Sequence, residues 1–235
     1  MNWQERTILL IGEEAVEKLA GSHVFIAGLG GVGGACAEAL ARAGIGEMSL
    51  ADADVIQETN INRQLIANHT NIGEIKVEEW KKRLLSINPA LRIHTCSVFL
   101  KKDTLPGVIQ PGVDYIADAI DTLKPKFELI SYAVEHHIPL ITSLGSGGRL
   151  DPSRIMVSDI SKSYGCKFGR KLRKKLYRHG IKKGFKAVFS PEEVDKRVLI
   201  PLNESNKKTV VGTISYMPLM FGYYMASEII RDLIS

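Results

Sequence analysis

The sequence has 235 residues, enough for one sizeable α/β domain with additions and too few for two full-sized domains to be expected. Its apolar content of 45% and charged content of 24% are ordinary for a globular protein. No stretch is apolar enough to span a bilayer and no signal-peptide pattern follows Met1, so we expect a cytoplasmic protein. Three cysteines, Cys36, Cys96 and Cys166, form no Cys-x-x-Cys pair, which argues against a disulfide framework and a thiolate zinc site.

The positive charge is concentrated in one tract. The chain has a net charge of +5, and eleven Lys or Arg residues lie between Lys162 and Lys186 with no Asp or Glu among them. The rest of the chain holds 20 basic and 26 acidic residues, a net charge of −6. A positive tract on an otherwise acidic protein indicates a polyanionic partner.

The chain begins with a predicted helical arm over 5–19, and an apolar strand over 24–27 then leads into a turn with Gly28, Gly30 and Gly33. In this Gly-x-Gly-x-x-Gly spacing the missing side chains permit a tight turn, close approach of a phosphate to the backbone and close packing of the next helix. The spacing alone is weak evidence. Because an apolar strand precedes it and an Ala-rich helix follows it, we predict a nucleotide site.

Strands and helices alternate along the next hundred residues. The apolar pattern predicts helices over 32–43, 73–87 and 124–136, and strands over 48–51, 91–98, 114–121 and 138–143. This alternation predicts an α/β fold with a doubly wound, mostly parallel sheet and right-handed crossovers. Shorter strands over 155–159 and 198–200 and a closing helix over 215–234 follow.

We therefore predict one nucleotide-binding domain over 1–235. It consists of a helical arm (1–20), a nucleotide-binding core (21–148), and a C-terminal elaboration (149–235) that contains a basic helical segment (162–186).

Charged residues follow several predicted strands at one edge of the sheet. Asp52 ends the second strand, where dinucleotide-binding folds have a carboxylate that holds ribose hydroxyls. A dehydrogenase would explain Asp52 and the glycine turn equally well. Arg63, Lys76 and Asp121 follow segments that end at the same edge. Two cations and a carboxylate suit ATP with Mg²⁺, because the cations neutralise the phosphates and the carboxylate holds the metal. The Walker phosphate loop is absent from the sequence.

Five motifs in order carry a resemblance to the ThiF, MoeB and HesA family, the adenylating relatives of ubiquitin-activating enzymes. They are Gly28-x-Gly-Gly-x-Gly33, Asp52-x-Asp54, Asn60-x-x-Arg63-Gln64, Gly73-x-x-Lys76 and Asp118-x-x-Asp121. Within the family, the later features are similar to the branch that dehydrates threonylcarbamoyladenosine in tRNA. These are Gly145-Ser-Gly-Gly148, Asp151-Pro152, the basic helix and Val188-Phe-Ser190.

The resemblance implies roles for individual residues. Asp52 would bind ribose, Arg63 and Lys76 would grip the triphosphate, and Asp121 would hold magnesium. Arg6 matches an arginine that reaches into the neighbouring subunit's active site in MoeB-like members, which implies a homodimer. The implied catalytic residues are thus Arg63, Lys76, Asp121 and Arg6, and the implied ATP-binding residues are Gly28, Gly30, Gly31, Gly33, Asp52, Asp54, Asn60, Arg63, Lys76 and Asp121.

The residues alone leave three of these roles open. Asp54 is either a second ribose or metal contact or a cap of the following turn. Asp118 is either a ligand or a hydrogen-bond acceptor at the end of a strand. Lys76, which is followed by two glutamates, is either a phosphate ligand or part of a surface ion pair.

Two departures from the family pattern matter. ThiF and MoeB relatives usually carry two Cys-x-x-Cys pairs for zinc, and this chain has neither, so we expect no zinc. Ala187 stands where some dehydratase members have a cysteine. We predict that Cys36 and Cys96 are buried, inert thiols and that Cys166 lies on an exposed segment.

The resemblance implies carboxylate adenylation followed by cyclisation of the modified tRNA base. The predicted tRNA contacts are Lys167, Arg170, Lys171, Arg173, Lys174, Lys175 and Arg178. A cysteine desulfurase or sulfur-acceptor system is a further implied partner. The alternatives are adenylation of a ubiquitin-like sulfur carrier, a dehydrogenase, and a tRNA-binding scaffold without catalysis.

Overall fold

Strands and helices alternate through most of the chain. The computed structural model describes residues 3–201 and 209–235. The strands in this part are β1 (His23–Ala27), β2 (Glu47–Ala51), β3 (Arg92–Cys96), β4 (Tyr115–Asp118), β5 (Leu140–Ser143), β6 (Met156–Asp159), β7 (Lys186–Phe189), β8 (Leu199–Pro201) and β9 (Thr209–Val211). The helices are α1 (Glu5–Ile11), α2 (Glu13–Gly21), α3 (Gly31–Ala43), α4 (Lys76–Ile87), α5 (Leu105–Val108), α6 (Leu123–Glu135), α7 (Lys167–Arg178) and α8 (Tyr216–Ile234).

Seven strands form the main sheet in the order β3-β2-β1-β4-β5-β7-β6. All neighbours pair in parallel except β6, which runs antiparallel to β7 at one edge. The predicted mostly parallel, doubly wound sheet is confirmed. The strand order reverses between β1 and β4, and ligands of such sheets bind in the crevice at the carboxyl ends of the strands beside that point.

The two faces of the sheet pack against different helices. Val24 and Ile26 of β1 belong to the apolar cluster that includes α3 and α8, whereas Phe25 and Ala27 belong to the cluster that includes α6 and α7. Successive side chains of a strand point to opposite faces, so a continuous apolar strand is what burial on both faces requires. This explains why residues 24–27 of β1 are all apolar.

Helix α8 covers the first face and abuts the start of α3. The predicted closing helix is confirmed despite Pro218, which is the third residue of α8 and lies in the first turn, where backbone N–H groups lack partners within the helix. Gly222 lets the two backbones approach closely, since a Cβ at this position would lie 2.2 Å from the carbonyl oxygen of Val32.

Three predicted boundaries are wrong for local reasons. The predicted single arm helix is two helices, because Gly12 between them has a φ of +84°. The helix predicted from residue 73 begins at Lys76, because Gly73 has a φ of +92°. The strand predicted to reach Asp121 ends at Asp118, so Asp121 lies in the loop before α6.

Strand β7 was not predicted from the apolar pattern. Its four residues lie between Gly184 and Pro191, and so short a run carries too little periodicity to be recognised. β6 and β7 both come from the stretch predicted as the C-terminal elaboration, and they extend the main sheet beyond β5. The division of the chain at residues 20 and 148 stays a prediction.

No helix among the described residues combines the length and apolarity needed to cross a bilayer.

The α3–α8 contact yields a test of stability. We expect Gly222→Ala to lower the free energy of unfolding by about 1–3 kcal/mol, because the added methyl group overpacks a contact between backbones. Denaturant unfolding monitored by circular dichroism measures the change. Ser227→Ala, at an exposed position of the same helix, is the control and should change stability by less than about 0.5 kcal/mol. Equal stability of both variants would contradict the assigned contact.

Candidate active site

The glycine turn between β1 and α3 is shaped by direct backbone contact. Gly28 has a φ of +84°, and a Cβ at Gly33 would lie 1.7 Å from the carbonyl oxygen of Gly28. At Gly30, the residue before α3, a Cβ would meet only Nε2 of Gln64, at 3.6 Å. Gly28 and Gly33 are therefore required by the turn itself, whereas Gly30 leaves room at the N-terminus of α3, where anions bind favourably.

Gln64 lies beside this opening and was not among the predicted site residues. Its Oε1 is the one buried side-chain oxygen or nitrogen in the described part of the chain that lacks a hydrogen-bond partner. A buried polar atom without a partner is costly, and a bound ligand is one way to satisfy it. Its place next to Arg63 in the Asn60-x-x-Arg63-Gln64 motif was the signal in the sequence. The open space at Gly30 fits a bound phosphate, whereas Oε1 of Gln64 is an acceptor and needs a donor, such as a hydroxyl or amino group of a ligand.

Gly31 is required by packing. A Cβ at Gly31 would lie 2.6 Å from the carbonyl oxygen of Arg63 and 2.8 Å from Cβ of Pro218. Through this contact the start of α3, the segment that carries Arg63 and the start of α8 are held together. The predicted contact of Gly31 with the nucleotide stays a prediction.

Asp52, Asp54 and Lys76 form a charge cluster at the carboxyl end of β2. The Asp52 carboxylate accepts hydrogen bonds from the backbone N–H of Leu29, at 2.7 Å, and of Asp54, at 2.9 Å. Lys76 Nζ lies 3.4 Å from Oδ1 of Asp52 and 3.1 Å from Oδ2 of Asp54. Since the Lys76 side chain is only 3% exposed, the surface ion pair considered as an alternative is wrong. The cluster also ties Asp52 to the glycine turn through Leu29.

Asn60 shapes the loop that leads to Arg63. Its Oδ1 accepts a hydrogen bond from the backbone N–H of Gln57 at 3.1 Å, and the side chain is buried. This bond belongs to a capping box at a short 3₁₀ turn over Glu58–Asn60. Asn60 therefore has a structural role besides its predicted contact with the nucleotide.

Arg63 lies within the electrostatic reach of Asp121. Nη1 of Arg63 donates to the carbonyl oxygen of Thr59 at 2.7 Å and to Oδ1 of Asn62 at 2.8 Å. Burial lowers the pKa of the Arg63 guanidinium, and the negative charge of Asp121 opposes that shift. This interaction agrees with the predicted convergence of the two residues, and their roles toward ATP and Mg²⁺ stay predictions.

A buried ion pair lies beneath the loop that carries Asp121. Asp118 and Lys126 are fully buried, Lys126 Nζ lies 2.7 Å from Oδ2 of Asp118, and the hydroxyl of Thr142 donates to the same oxygen at 2.6 Å. Burial lowers the pKa of the Lys126 ammonium, and the Asp118 carboxylate opposes that shift. Of the two alternatives considered for Asp118, the structure therefore favours the hydrogen-bond acceptor at the end of a strand over the ligand.

Arg6 does not join this cluster within one chain. It is exposed on α1, and Nε2 of the nearby Gln4 lies 3.5 Å from the carbonyl oxygen of Ala43, at the end of α3 away from the glycine turn. The thirteen residues of α3 span about 20 Å, so Arg6 lies at the far end of that helix.

The three cysteines are buried or half-buried. Burial raises the pKa of the Cys36 and Cys96 thiols, but only Cys36 is buried as predicted, whereas Cys96 is half-buried. The prediction that Cys166 lies on an exposed segment is wrong. Cys166 is buried at the start of α7, and its Sγ accepts a hydrogen bond from the backbone N–H of Gly169 at 3.4 Å.

The basic helix α7 turns most of its charge outward. Leu172 and Leu176 are buried against the domain, and five of the seven predicted tRNA contacts are exposed: Lys167, Arg170, Lys171, Lys174 and Arg178. The other two differ. Arg173 donates to Oγ of Ser163 at 2.6 Å, and Lys175 lies 4.3 Å from the centre of the Phe127 ring.

Helix α7 begins at the same edge of the sheet as the glycine turn. A Cβ at Gly169 would lie 2.5 Å from Cδ1 of Leu144, and a Cβ at Gly145 would lie 3.7 Å from Sγ of Cys166. Leu144 and Gly145 directly follow β5. A polyanion on α7 could therefore continue into the site.

No group of three or more His, Cys, Asp or Glu side chains in the described ranges could hold a metal ion. Mg²⁺ in nucleotide sites is held by one or two carboxylates together with the phosphates, so Asp121 alone fits such an ion once phosphates are present.

A profile of the ThiF family matches residues 4–235. The chain belongs to the ThiF family. The resemblance in the sequence is thereby confirmed, and the roles of the glycine turn, Asp52 and Asp121 toward a nucleotide stay predictions.

Relatives of this ThiF chain match along almost its entire length. It is 35% identical over 237 residues to a tRNA threonylcarbamoyladenosine dehydratase of Bacillus subtilis strain 168, covering 97% of this chain and 93% of the relative. Crystal structures of the Escherichia coli dehydratase TcdA superpose with a TM-score of 0.88 for the AMP complex, at 34% identity, and 0.87 for the ATP complex, at 33% identity. Both comparisons cover 99% of this chain and 95% of TcdA.

A match to a molybdopterin-synthase adenylyltransferase is shorter. The Haemophilus influenzae molybdopterin-synthase adenylyltransferase is 34% identical over 126 residues, which covers 54% of this chain and 51% of that enzyme. The dehydratase interpretation of the sequence is therefore favoured over carrier-protein activation.

The glycine turn yields a paired test. We expect Gly30→Ala to keep its thermal stability but to lose at least tenfold in ATP affinity, because the methyl group enters the space at the N-terminus of α3. We expect Gly33→Ala to lose stability, because its methyl group meets the backbone of Gly28. Calorimetric ATP titration and thermal melting measure the two effects. Unchanged ATP affinity in a folded Gly30→Ala variant would contradict the phosphate cradle.

Proposed function

We propose that this protein is an ATP-dependent adenylating enzyme that dehydrates threonylcarbamoyladenosine in tRNA, in the cytoplasm. The proposal rests on one observation: the basic helix α7 begins at the edge of the sheet that holds the glycine turn. The match to a dehydratase along almost the entire chain also supports it. One molecule of tRNA can thus bind on α7 and present a modified base to ATP.

The proposed reaction has two steps. The carboxylate of the substrate attacks the α-phosphorus of ATP and pyrophosphate leaves. The carbamoyl group of the same substrate then attacks the acyl-adenylate, a ring closes and AMP leaves, so that the net loss from the base is one water. Since the second nucleophile belongs to the substrate, no cysteine of the protein is required, which agrees with the burial of Cys36 and Cys166.

Each charged side chain of the site has its own role in the proposed reaction. Arg63 and Lys76 would neutralise the phosphates, where charge develops in the transition state. Lys76 has three N–H donors, so it can keep Asp54 as a partner and direct another proton to a phosphate. Asp121 would hold Mg²⁺, which neutralises charge on the departing pyrophosphate. Asp52 would accept from ribose hydroxyls while its bond to Leu29 keeps it beside the turn.

The proposed homodimer would bring Arg6 to a second active site. Arg6 lies far from the glycine turn of its own chain, and Leu9 and Leu10 of the same helix are 82% and 83% exposed. A second copy packed on this arm would cover both leucines and receive the arginine. The association with a cysteine desulfurase stays a prediction.

The function is tested by the formation of AMP. We expect the protein to form AMP and pyrophosphate from ATP only when tRNA containing threonylcarbamoyladenosine is present. Asp121→Ala should slow this at least about 100-fold, because it removes charge stabilisation in the transition state. Glu17→Ala, at an exposed position of α2, is the control and should react like wild type. If a purified sulfur-carrier protein stimulates AMP formation and tRNA does not, the carrier protein is the favoured substrate.

Mixing two inactive variants tests the role of Arg6. A mixed dimer of Arg6→Ala and Arg63→Ala subunits contains one intact site if Arg6 acts across the interface. Because half of the randomly mixed dimers are of this kind, about a quarter of wild-type AMP formation should return. If activity does not return although the subunits exchange, Arg6 does not act in the partner's site.

The outer face of α7 is tested by charge removal. Replacing Arg170, Lys171, Lys174 and Arg178 with Ala should weaken tRNA binding and flatten its dependence on salt, because fewer counterions are released. Arg173 is left in place because it bonds Ser163. ATP affinity should stay within about twofold of wild type.

A control for net charge removes four exposed cations outside α7: Lys18, Lys82, Arg92 and Arg231. We expect this variant to bind tRNA with the wild-type salt dependence. Equal loss of affinity in both variants would mean that α7 attracts tRNA only through total charge.

A further inference from the structure

A cavity of about 420 Å³ lies beside the C-terminal half of α7. Its floor is apolar and is formed by Ile160, Leu176 and Ile181. Ile160 and Leu176 are each 1% exposed and belong to the core, so the apolar surface open to a ligand comes mainly from Ile181 and Tyr177. Binding sites for small organic groups have volumes of this order and apolar floors.

The rim of the cavity is cationic and aromatic. Arg173, Lys174 and Lys182 line it, and none of the described residues that line it is acidic. Tyr177 is 63% exposed, and Lys182 Nζ lies 5.1 Å from the centre of its ring. The site thus offers an exposed aromatic ring with a positive charge over one of its faces.

A single nucleotide of RNA carries the two groups that this arrangement recognises. Bases stack on exposed aromatic side chains with little dependence on sequence, and phosphates pair with lysine and arginine. An acidic peptide supplies a flat ring only where an aromatic residue lies beside its acids, whereas every nucleotide carries both a ring and a phosphate, so charge and shape together favour a nucleotide.

We propose that this cavity is a nucleotide subsite in which one base of the substrate tRNA stacks on Tyr177 while its phosphate pairs with Lys174 and Lys182. The inference rests on the proposed function for the identity of the RNA. Phosphate contacts along α7 alone would let the RNA slide, whereas a stacked base fixes one position of the strand.

The stacked nucleotide is distinct from the one that reacts. From Gly169, which contacts the edge of the sheet that holds the ATP site, to Tyr177 there are eight residues of helix, or about 12 Å. Stacking at Tyr177 therefore anchors a neighbouring part of the strand and leaves the modified base free to enter the ATP site.

The test exploits the difference between stacking and charge. Tyr177→Ala should weaken tRNA binding roughly tenfold without changing the slope of log affinity against log salt, because a base stack releases few counterions. Tyr177→Phe keeps the ring and should bind within twofold of wild type. AMP formation at saturating tRNA should be unchanged in both, so that the loss appears in the KM for tRNA and not in kcat.

A matched control replaces Tyr223, which is 43% exposed on α8, with Ala and should bind tRNA like wild type. The subsite is overturned if Tyr177→Ala binds like wild type, if Tyr177→Phe loses as much as Tyr177→Ala, or if the loss appears as a change in salt slope. If wild type binds tRNA but forms no AMP from it, the proposed function fails while the binding data still decide the subsite. If wild type does not bind tRNA, both fail.

Discussion

Close backbone contact around the start of α3 is the constraint on which the site depends. Gly33 meets the carbonyl of Gly28, Gly31 meets the carbonyl of Arg63, and Gly222 of α8 meets that of Val32. Side chains at these positions would separate the sheet, the Arg63 segment and α8 from the helix. Because the contacts surround the helix N-terminus and leave only Gly30 open, the same packing that stabilises the fold creates the space for a phosphate.

The charges of the site form two groups. Lys126 and Asp118 are fully buried and satisfy each other under the loop that leads to Asp121. In the second group Lys76, itself buried, bridges Asp52 and the exposed Asp54, and the negative charge of Asp121 acts on Arg63. A buried ion pair contributes little net stability compared with apolar residues, but it holds its neighbours in one geometry. The Lys126–Asp118 pair keeps the loop in one geometry, and the other charged groups can exchange protein partners for phosphates. This arrangement suits a site that binds a polyphosphate.

Helix α7 shows how one element serves packing and binding. Leu172 and Leu176 attach it to the domain, while the opposite side carries cations without acidic partners on the helix. Such a face repels itself, and a polyanion relieves the repulsion. Helix α7 begins beside Gly145, and the cavity near Tyr177 lies further along the helix. RNA bound along α7 would therefore run from the proposed ATP site to the proposed nucleotide subsite.

The sequence by itself determined the parallel sheet, the glycine turn, the family and the tract of positive charge, because these depend on periodicity, spacing and composition within single segments. Tertiary structure decided which charges are partners. Lys76 is buried against Asp52, Arg173 turns inward to Ser163, and Cys166 is buried rather than exposed. It also decided that β7 joins the sheet and that Tyr177 borders a cavity. These outcomes depend on contacts between segments far apart in the chain, and no local pattern contains that information.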